Sequence, residues 1–275
     1  MSLENSRIGF IGAGNMANSL IRGLLGRGVA PGRLLAADID SDKLEQLQSD
    51  CGIQVSTAAE IASTADVVVL AVKPQVMKTA CRELHAALQG RDCLIVSVAA
   101  GITLEHLGNW LGRELALVRC MPNTPALVGK GATALYANDR VSTSQQQLAE
   151  AILSAVGLAI WLQSETDIDA VTALSGSGPA YFFLLMEAMQ EVALEMGLDA
   201  DVARQLTCQT ALGAAELASR SQVSTAELRR QVTSPGGTTE QALKRFEQGG
   251  LRELVRQALL AAQQRSRELA RDFGS

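Results

Sequence analysis

Between residues 7 and 163, short runs of Val, Ile and Leu alternate with segments whose apolar residues have helical spacing. Five of the runs predict strands, at residues 8–11, 34–37, 67–72, 94–98 and 115–120. Helices are predicted between them, at residues 15–25, 42–48, 75–88 and 104–111. Strands and helices that alternate in this way form a parallel sheet with helices on both faces. Further runs at 132–136 and 158–162 extend the predicted sheet around a helix at 145–156.

After residue 163 the strand pattern ends and only helical patterns follow, at residues 168–196, 202–218, 225–232, 239–247 and 251–273. Ser224 and Thr238 each begin a sequence typical of a capping box, which marks a helix start. A chain of 275 residues exceeds the length at which one core usually stops growing. We therefore predict two domains, a doubly wound α/β domain at 1–164 and an all-helical domain at 165–275.

Charge and composition narrow the class of partner. The net charge is -5 and no run is rich in Lys or Arg, which argues against a nucleic-acid surface and favours a small-molecule ligand. The first seven residues lack a signal-peptide pattern, and the apolar run at 181–186 is stopped by Glu187. Five cysteines without a C-x-x-C pair indicate free thiols. We expect a cytoplasmic protein that does not bind a membrane or a metal, with Glu187, Glu191 and Glu195 on a solvated face.

A glycine-rich turn follows the first predicted strand and begins a helix. Residues 12–17 have the pattern G-x-G-x-x-A, with Gly12 and Gly14 at the glycine positions. Such glycines allow a tight turn and let the backbone approach a pyrophosphate, which the helix N-terminus stabilises. Asp38 ends the second strand, where an acidic residue typically binds the adenine ribose. A plain strand–helix connection can also contain glycines, but this context favours a dinucleotide-binding Rossmann domain.

Two prolines mark further loops at the carboxyl ends of strands. Lys73-Pro74 follows the third strand, where an ordinary helix start with a solvated lysine is the simpler interpretation. Asn123 lies between Pro122 and Pro125, which stiffen the loop after the fifth strand. That loop either holds Asn123 toward a nicotinamide ring or is a structural turn, and the residues alone favour neither.

Two glycine-rich segments interrupt the helical half. Residues 175–179, Ser-Gly-Ser-Gly-Pro, interrupt a predicted helix. Gly and Pro inside a helix destabilise it by roughly 1 and 3 kcal/mol. We expect the close approach of a ligand or another helix to offset this cost. Residues 233–239, Thr-Ser-Pro-Gly-Gly-Thr-Thr, begin another helix. Successive backbone N–H groups in such a turn form an anion site suited to a carboxylate.

Taken together, these segments resemble the pyrroline-5-carboxylate reductases over essentially the whole chain. The resemblance is carried by residues 9–17, 71–74, 99–101, 119–125, 174–181 and 234–239, of which the last two are the specific ones. It implies a Rossmann domain followed by a helical domain that dimerises, sometimes within a larger ring of dimers. It also implies reduction of 1-pyrroline-5-carboxylate to L-proline, with NADP(H) or NAD(H) as cofactor.

The resemblance assigns roles to individual residues. Those expected to bind the cofactor are Gly12, Ala13, Gly14, Asn15, Met16, Ala71, Val72, Lys73, Pro74 and Asn123, together with Asp38 from the argument above. Those expected to bind the substrate are Ser234, Gly236, Gly237, Thr238 and Thr239, with Thr239 as the catalytic residue that hydrogen-bonds the imine nitrogen. One departure concerns the cofactor: members that favour NADPH often carry Ser, Thr or Arg after the second strand, where this chain has acidic residues up to Asp42.

Two other functions fit parts of the pattern. A β-hydroxyacid dehydrogenase has a similar layout but requires a lysine in the first helix of the second half, and residues 168–196 contain none. A non-catalytic nicotinamide-binding sensor would use the same fold, yet it has no need of a carboxylate turn at 234–239. A protonated imine is already positively charged and accepts a hydride without a strong acid from the enzyme. The motifs of the second domain contain no His, Asp or Glu, so the site suits an imine substrate better than a ketone substrate.

Overall fold

The computed structural model describes residues 2–274 and forms one eight-stranded sheet within them. Its strands are β1 (Ile8–Ile11), β2 (Leu34–Ala37), β3 (Gln54–Val55), β4 (Val67–Leu70), β5 (Leu94–Ser97), β6 (Ala116–Met121), β7 (Gly131–Ala137) and β8 (Gly157–Trp161). They are ordered β3-β2-β1-β4-β5-β6-β7-β8, and every neighbouring pair is parallel except β6 with β7. The predicted doubly wound, mostly parallel sheet is confirmed.

Six helices cover the sheet, α1 (Asn15–Gly26), α2 (Ser41–Cys51), α3 (Ala58–Thr64), α4 (Pro74–Leu88), α5 (Leu104–Leu111) and α6 (Thr143–Leu153). Every residue of β1, β2, β4 and β5 is buried, as expected of strands covered on both faces. Consecutive side chains enter separate cores: Val69 packs in the cluster that includes Phe10, and Val68 packs in the cluster that includes Leu107. The alternation of side chains along each strand thus supplies both cores.

The sequence patterns missed β3 and α3. Both residues of β3 are exposed, so this strand has no buried run to reveal it. The seven-residue α3 is shorter than an amphipathic pattern needs, and Thr57 caps it by accepting a hydrogen bond from the Glu60 N–H. The predicted strand at 67–72 was too long, since β4 ends at Leu70.

The second half is helical, with α7 (Asp167–Val171), a π-helical turn (Thr172–Gly176), α8 (Gly178–Glu195), α9 (Ala200–Arg220), α10 (Thr225–Gln231), α11 (Thr238–Gln248) and α12 (Leu251–Gly274). The helix predicted at 168–196 is not continuous, and its interruption lies close to the Ser-Gly-Ser-Gly-Pro segment at 175–179. A proline cannot donate to the carbonyl four residues before it, so Pro179 cannot continue a regular helix from Ser175. The chain instead widens into the π-turn and restarts α8 at Gly178, with Pro179 in the first turn.

Of the two predicted capping boxes, one marks the N-cap of its helix correctly and the other does not. Ser224 does cap α10, because its side chain accepts the Glu227 N–H. For α11 the N-cap is Gly237 rather than Thr238, and no side chain caps it. The Glu240 carboxylate reaches back to the turn and accepts a hydrogen bond from the Gly236 N–H at 2.8 Å. Helix α11 therefore begins one residue earlier than expected.

Two compact units divide the chain, residues 1–177 with 261–275, and residues 178–260. The pattern change at 164 lies before this division. The end of α12 belongs to the first unit, where Ser266 donates a hydrogen bond to Asp169 at 2.7 Å and Phe273 lies against Gly101. One helical stretch, residues 167–195, is long and apolar enough to cross a membrane by length and composition alone.

Candidate active site

The turn after β1 has a backbone that only glycine accommodates at its first position. Gly12 donates its N–H to the Ala37 carbonyl at 2.7 Å, so the turn is fastened to the end of β2. Its φ is +102°, and a Cβ there would lie 2.7 Å from the Ala71 carbonyl oxygen. Gly14, by contrast, has open space where its Cβ would be. The turn is thus closed against the sheet at Gly12 and open outward at Gly14.

Helix α1 begins at this opening with an unused N-terminus. Its N-cap is Gly14, and among the described residues no side chain caps it and no acid stands in its first turn. The neighbouring α2 and α3 are capped by Asp40 and Thr57. The free N–H groups and the helix dipole favour an anion at this point. Gly12, Ala13, Gly14, Asn15 and Met16 therefore fit the pyrophosphate of a dinucleotide.

Asp38 lies beside the turn but its carboxylate is already engaged. Oδ2 accepts the Ala13 N–H at 2.6 Å, and Oδ1 accepts the Asp40 N–H at 2.9 Å. The side chain thereby holds the glycine-rich turn in place, a role that the sequence argument missed. Each carboxylate oxygen keeps a second lone pair, so the predicted bond to a ribose hydroxyl remains chemically available.

A cavity of about 480 Å³ opens next to Asp38. Its lining is mostly apolar, with the hydroxyls of Ser56, Thr57 and Thr79 and the carboxylates of Asp38 and Glu83. Among the described residues that line it none is basic. An apolar slot with a few polar groups suits an adenosine. The sequence analysis missed Ser56 and Thr57 because it missed β3 and α3, which bring them here, and it gave Thr79 on α4 no role.

Residues 71–74 lie at the same edge of the sheet. Ala71 donates its N–H to the Ile11 carbonyl at 2.8 Å, which sets it beside the glycine turn, and Val72 lines the cavity. Lys73 is the exposed N-cap of α4, and Pro74 is its first residue. Ala71, Val72, Lys73 and Pro74 are thus brought together with Gly12, as the resemblance implies.

Both the nitrogen and the oxygen of the Asn123 side-chain amide form hydrogen bonds within the protein. Its Nδ2 donates to the Ser175 carbonyl at 3.0 Å, and its Oδ1 accepts the Ala132 N–H at 2.8 Å. Met121, two residues earlier, lies against Gly176, where a Cβ would be 2.4 Å from the Met121 Cε. The close approach expected at residues 175–179 is therefore made at Gly176 by another segment of the chain. The Asn123 side chain has a structural role, which the sequence left as one of two options.

The second glycine-rich turn lies in the other compact unit. Gly237 donates its N–H to the Ser234 carbonyl at 3.0 Å, and Gly236 has a φ of +74°. Thr238 and Thr239 are the first two residues of α11, and both are exposed. Ser234, Gly236, Gly237, Thr238 and Thr239 thus form one continuous turn and helix start, as predicted. Only the Glu240 carboxylate, bonded to Gly236, was not expected there.

Three cysteines and one histidine of the first unit have pKa values that burial shifts away from the charged form. Burial raises the pKa of Cys81 and of Cys93 to about 12, and it also raises the pKa of Cys120. His106 accepts the Thr103 N–H in the capping box of α5, and burial lowers its pKa. These groups have structural environments and supply no acid or thiolate at neutral pH.

Together the sheet, the uncapped glycine turn and the mostly apolar cavity define a Rossmann domain of the kind that nicotinamide-dependent oxidoreductases use. Two family models match the chain, "NADP oxidoreductase coenzyme F420-dependent" over residues 7–101 and "pyrroline-5-carboxylate reductase dimerisation" over residues 165–269. A pyrroline-5-carboxylate reductase of Pseudomonas aeruginosa is 54% identical over 99% of this chain and 100% of its own length.

Solved structures agree with these matches. A pyrroline-5-carboxylate reductase from Coxiella burnetii is 48% identical and superposes with a TM-score of 0.93, covering 96% of this chain and 98% of its own. The Plasmodium falciparum enzyme with NADP bound is 27% identical with a TM-score of 0.87, covering 98% and 100%. The chain belongs to the pyrroline-5-carboxylate reductase family, whose members are NAD(P)H-dependent oxidoreductases.

Proposed function

We propose that this protein reduces 1-pyrroline-5-carboxylate to L-proline with NAD(P)H, the last step of proline biosynthesis. The observation that carries the proposal is 54% identity, over essentially the full length, to a relative named for this activity. The uncapped N-terminus of α1 and the intact turn at 234–239 support it from within the chain. A bound cofactor supplies the hydride, and one proton must also reach the imine nitrogen.

The first unit provides the proposed cofactor site. Gly14, Asn15 and Met16 bind the pyrophosphate through backbone N–H groups, and Asp38 accepts a bond from the adenine ribose. Gly12 and Ala13 shape the turn around the pyrophosphate, because their own N–H groups are bonded to Ala37 and Asp38. Ala71, Val72, Lys73, Pro74 and Asn123 border the nicotinamide end. Since the Asn123 amide is engaged by Ser175 and Ala132, its contribution is to shape this border.

The second unit provides the proposed substrate site. Ser234, Gly236, Gly237 and Thr238 bind the substrate carboxylate at the start of α11, and the Thr239 hydroxyl bonds the ring nitrogen. A protonated imine is already electrophilic, so the protein needs chiefly to position it and exclude water. The family-matched motifs accordingly contain no strong acid, and residues 165–275 are the proposed dimerisation and substrate-binding domain.

We also propose that a second copy of the chain covers the apolar surface of this domain. Helix α8 leaves Phe182, Phe183 and Leu184 more than 60% exposed, and α12 exposes Leu254. A soluble monomer rarely leaves so much contiguous apolar surface in water. A second copy would cover the apolar stretch at 167–195, so no membrane is needed to cover it. The proposed assembly is a dimer or a ring of dimers. We propose further that the protein is soluble and cytoplasmic and that it binds no nucleic acid.

The test of function is loss of absorbance of NADH or NADPH on addition of 1-pyrroline-5-carboxylate. We expect turnover with both cofactors; binding without turnover would indicate a sensor, and oxidation of a β-hydroxyacid in its place would indicate the rival dehydrogenase. The test of assembly is analytical ultracentrifugation at micromolar concentration. A stable, active species of 29.0 kDa would exclude an obligate dimer.

A further inference from the structure

An ion pair between a buried arginine and a partly buried glutamate joins β6 to the segment that precedes α7. Arg119 Nη1 lies 2.8 Å from Glu165 Oε1, and their side chains are 4% and 26% exposed. The same Glu165 oxygen also accepts the Leu104 N–H, at the first residue of α5, at 2.8 Å. Three segments that are distant in sequence therefore meet at one carboxylate oxygen.

Stability alone gives little reason for such a pair. Desolvation of two charges can exceed the attraction between them, and apolar replacements of similar volume are often as stable or more stable. The Arg119 Nε–H adds to this penalty, because it is buried and has no hydrogen-bond partner in the described part of the chain. A buried arginine with an unsatisfied donor calls for a role other than holding the fold together.

The position of the pair indicates what that role is. Arg119 is paired in register with Ser97, which is paired with Leu70, which is paired with Ile11. Arg119 thus stands in the row of residues at the carboxyl edge of the parallel strands, the edge where the ligands of such sheets bind. The Gly12 turn begins directly after Ile11 in the same row.

A second tie joins the same two segments a few residues further on. Asn123, four residues after Arg119, donates to the Ser175 carbonyl, ten residues after Glu165. Met121, the last residue of β6, contacts Gly176 next to the second tie. The ion pair and the amide bond thus fasten residues 119–123, at the carboxyl edge of the sheet, to residues 165–176.

We propose that Arg119 and Glu165 are positioning residues, which hold residues 121–123 at the nicotinamide end of the cofactor without touching the reactants. The inference rests on the proposed function for the location of that end. Loss of the pair shifts residues 121–123 while leaving the pyrophosphate turn and the adenosine cavity intact. Misplacement of this kind lowers the rate of hydride transfer far more than it lowers affinity for the adenosine half.

The experiment compares Arg119→Lys, Glu165→Gln and the double variant Arg119→Met with Glu165→Leu. The double variant replaces the whole pair with apolar side chains, so it does not leave the buried Arg119 charge unpaired as Glu165→Gln does. Titrations with ADP-ribose, which lacks nicotinamide, and with NADPH are followed without the imine. Turnover with the imine is measured separately, and Arg140→Met, which breaks an exposed pair with Glu114, is the matched control.

For the double variant we expect kcat to fall about tenfold or more and NADPH affinity to fall severalfold, with ADP-ribose affinity within about twofold of wild type. Arg119→Lys is expected to retain more activity than the double variant, and Arg140→Met to retain all of it. A folded double variant with normal kcat and normal NADPH affinity overturns the proposal, as does equal loss of NADPH and ADP-ribose binding. If the wild type does not reduce the imine, the proposed function fails, while the two titrations still decide this inference.

Discussion

The side-chain amide of Asn123 donates a hydrogen bond to the carbonyl oxygen of Ser175 at 3.0 Å. That carbonyl is four residues before Pro179, which has no N–H to donate to it in a regular helix. Asn123 of the 119–125 motif thus supplies the donor for the Ser175 carbonyl, which Pro179 of the 174–181 motif cannot supply. The glycines and prolines of the two motifs belong to one arrangement.

This arrangement is tested by Asn123→Asp, which keeps an acceptor for the Ala132 N–H and removes the donor to Ser175. A half-buried carbonyl left unpaired beside a carboxylate is expected to lower the free energy of unfolding by about 1–3 kcal/mol. For a chain of this size that corresponds to a Tm lower by about 2–4 °C per kcal/mol, measured by calorimetry. Asn109→Asp is the control, because Asn109 is exposed and only accepts from Arg113. An unchanged Tm in Asn123→Asp would show that Ser175 needs no partner.

Cofactor choice is expected to depend on Asp38. Its carboxylate accepts from a free ribose hydroxyl but repels a 2′-phosphate, and the nearby Lys43 is already paired with Asp40 at 2.7 Å. We expect wild-type kcat/KM with NADH to be more than about a hundredth of that with NADPH, a limit of roughly 3 kcal/mol of discrimination. A lower ratio would contradict the assignment.

The variant Asp38→Asn sharpens this test. It removes the charge and one of the two acceptors that hold Ala13 and Asp40, so efficiency falls with both cofactors. The ratio of NADPH to NADH efficiency is expected to rise about tenfold, roughly 1.4 kcal/mol. The control is Asp42→Asn, at the exposed start of α2. An equal change of the ratio in this variant would mean that any loss of negative charge near the site alters cofactor choice.

Thr239→Val tests the proposed catalytic hydroxyl. If that hydroxyl bonds the ring nitrogen, the bond gains strength as the imine becomes an amine, so kcat should fall more than the affinity for substrate. We expect efficiency to fall by roughly ten- to several-hundredfold, as for one well-placed hydrogen bond. The control is Thr225→Val at the exposed start of α10. Near-normal turnover in folded Thr239→Val protein would remove Thr239 from the mechanism. The backbone N–H of Thr238 would then be the main donor to the substrate, because the Gly237 N–H is bonded to Ser234.

Glu240 is expected to compete with the substrate carboxylate. Its own carboxylate occupies the Gly236 N–H at 2.8 Å, one of the donors proposed for the substrate. In Glu240→Gln the competitor is a weaker, neutral acceptor, so KM for 1-pyrroline-5-carboxylate should fall about fivefold, roughly 1 kcal/mol. The KM for 1-pyrroline, which has no carboxylate, should stay unchanged.

The matched control for this prediction is Glu227→Gln, since Glu227 pairs with Arg230 on α10 and makes no described contact with the turn. A rise in KM for 1-pyrroline-5-carboxylate would show that Glu240 supports the turn. Equal changes for both imines would show that it acts on the ring nitrogen.

Local patterns predicted most of the fold because strands that are buried on both faces of the sheet are continuous runs of apolar residues. Residues 8–11 and 34–37 were predicted with their observed ends, and the helix at 104–111 likewise. The signal was lost where burial is partial: β3 is exposed, and α3 is short. The π-turn in the helix at 168–196 was not predicted, although the Gly and Pro residues at 175–179 indicated an interruption there.

Sequence alone predicted the class of site, since a G-x-G-x-x-A pattern directly after a strand and at the start of a helix can be recognised from residue type and order. Only the tertiary structure decided how the polar side chains are used. Asp38 accepts a hydrogen bond from the glycine turn, and Asn123 donates one to the Ser175 carbonyl, 52 residues away. Arg119 forms an ion pair with Glu165. Hydrogen bonds and ion pairs of this kind depend on distances between segments that are far apart in the chain, and those distances exist only after the sheet and its helices have packed.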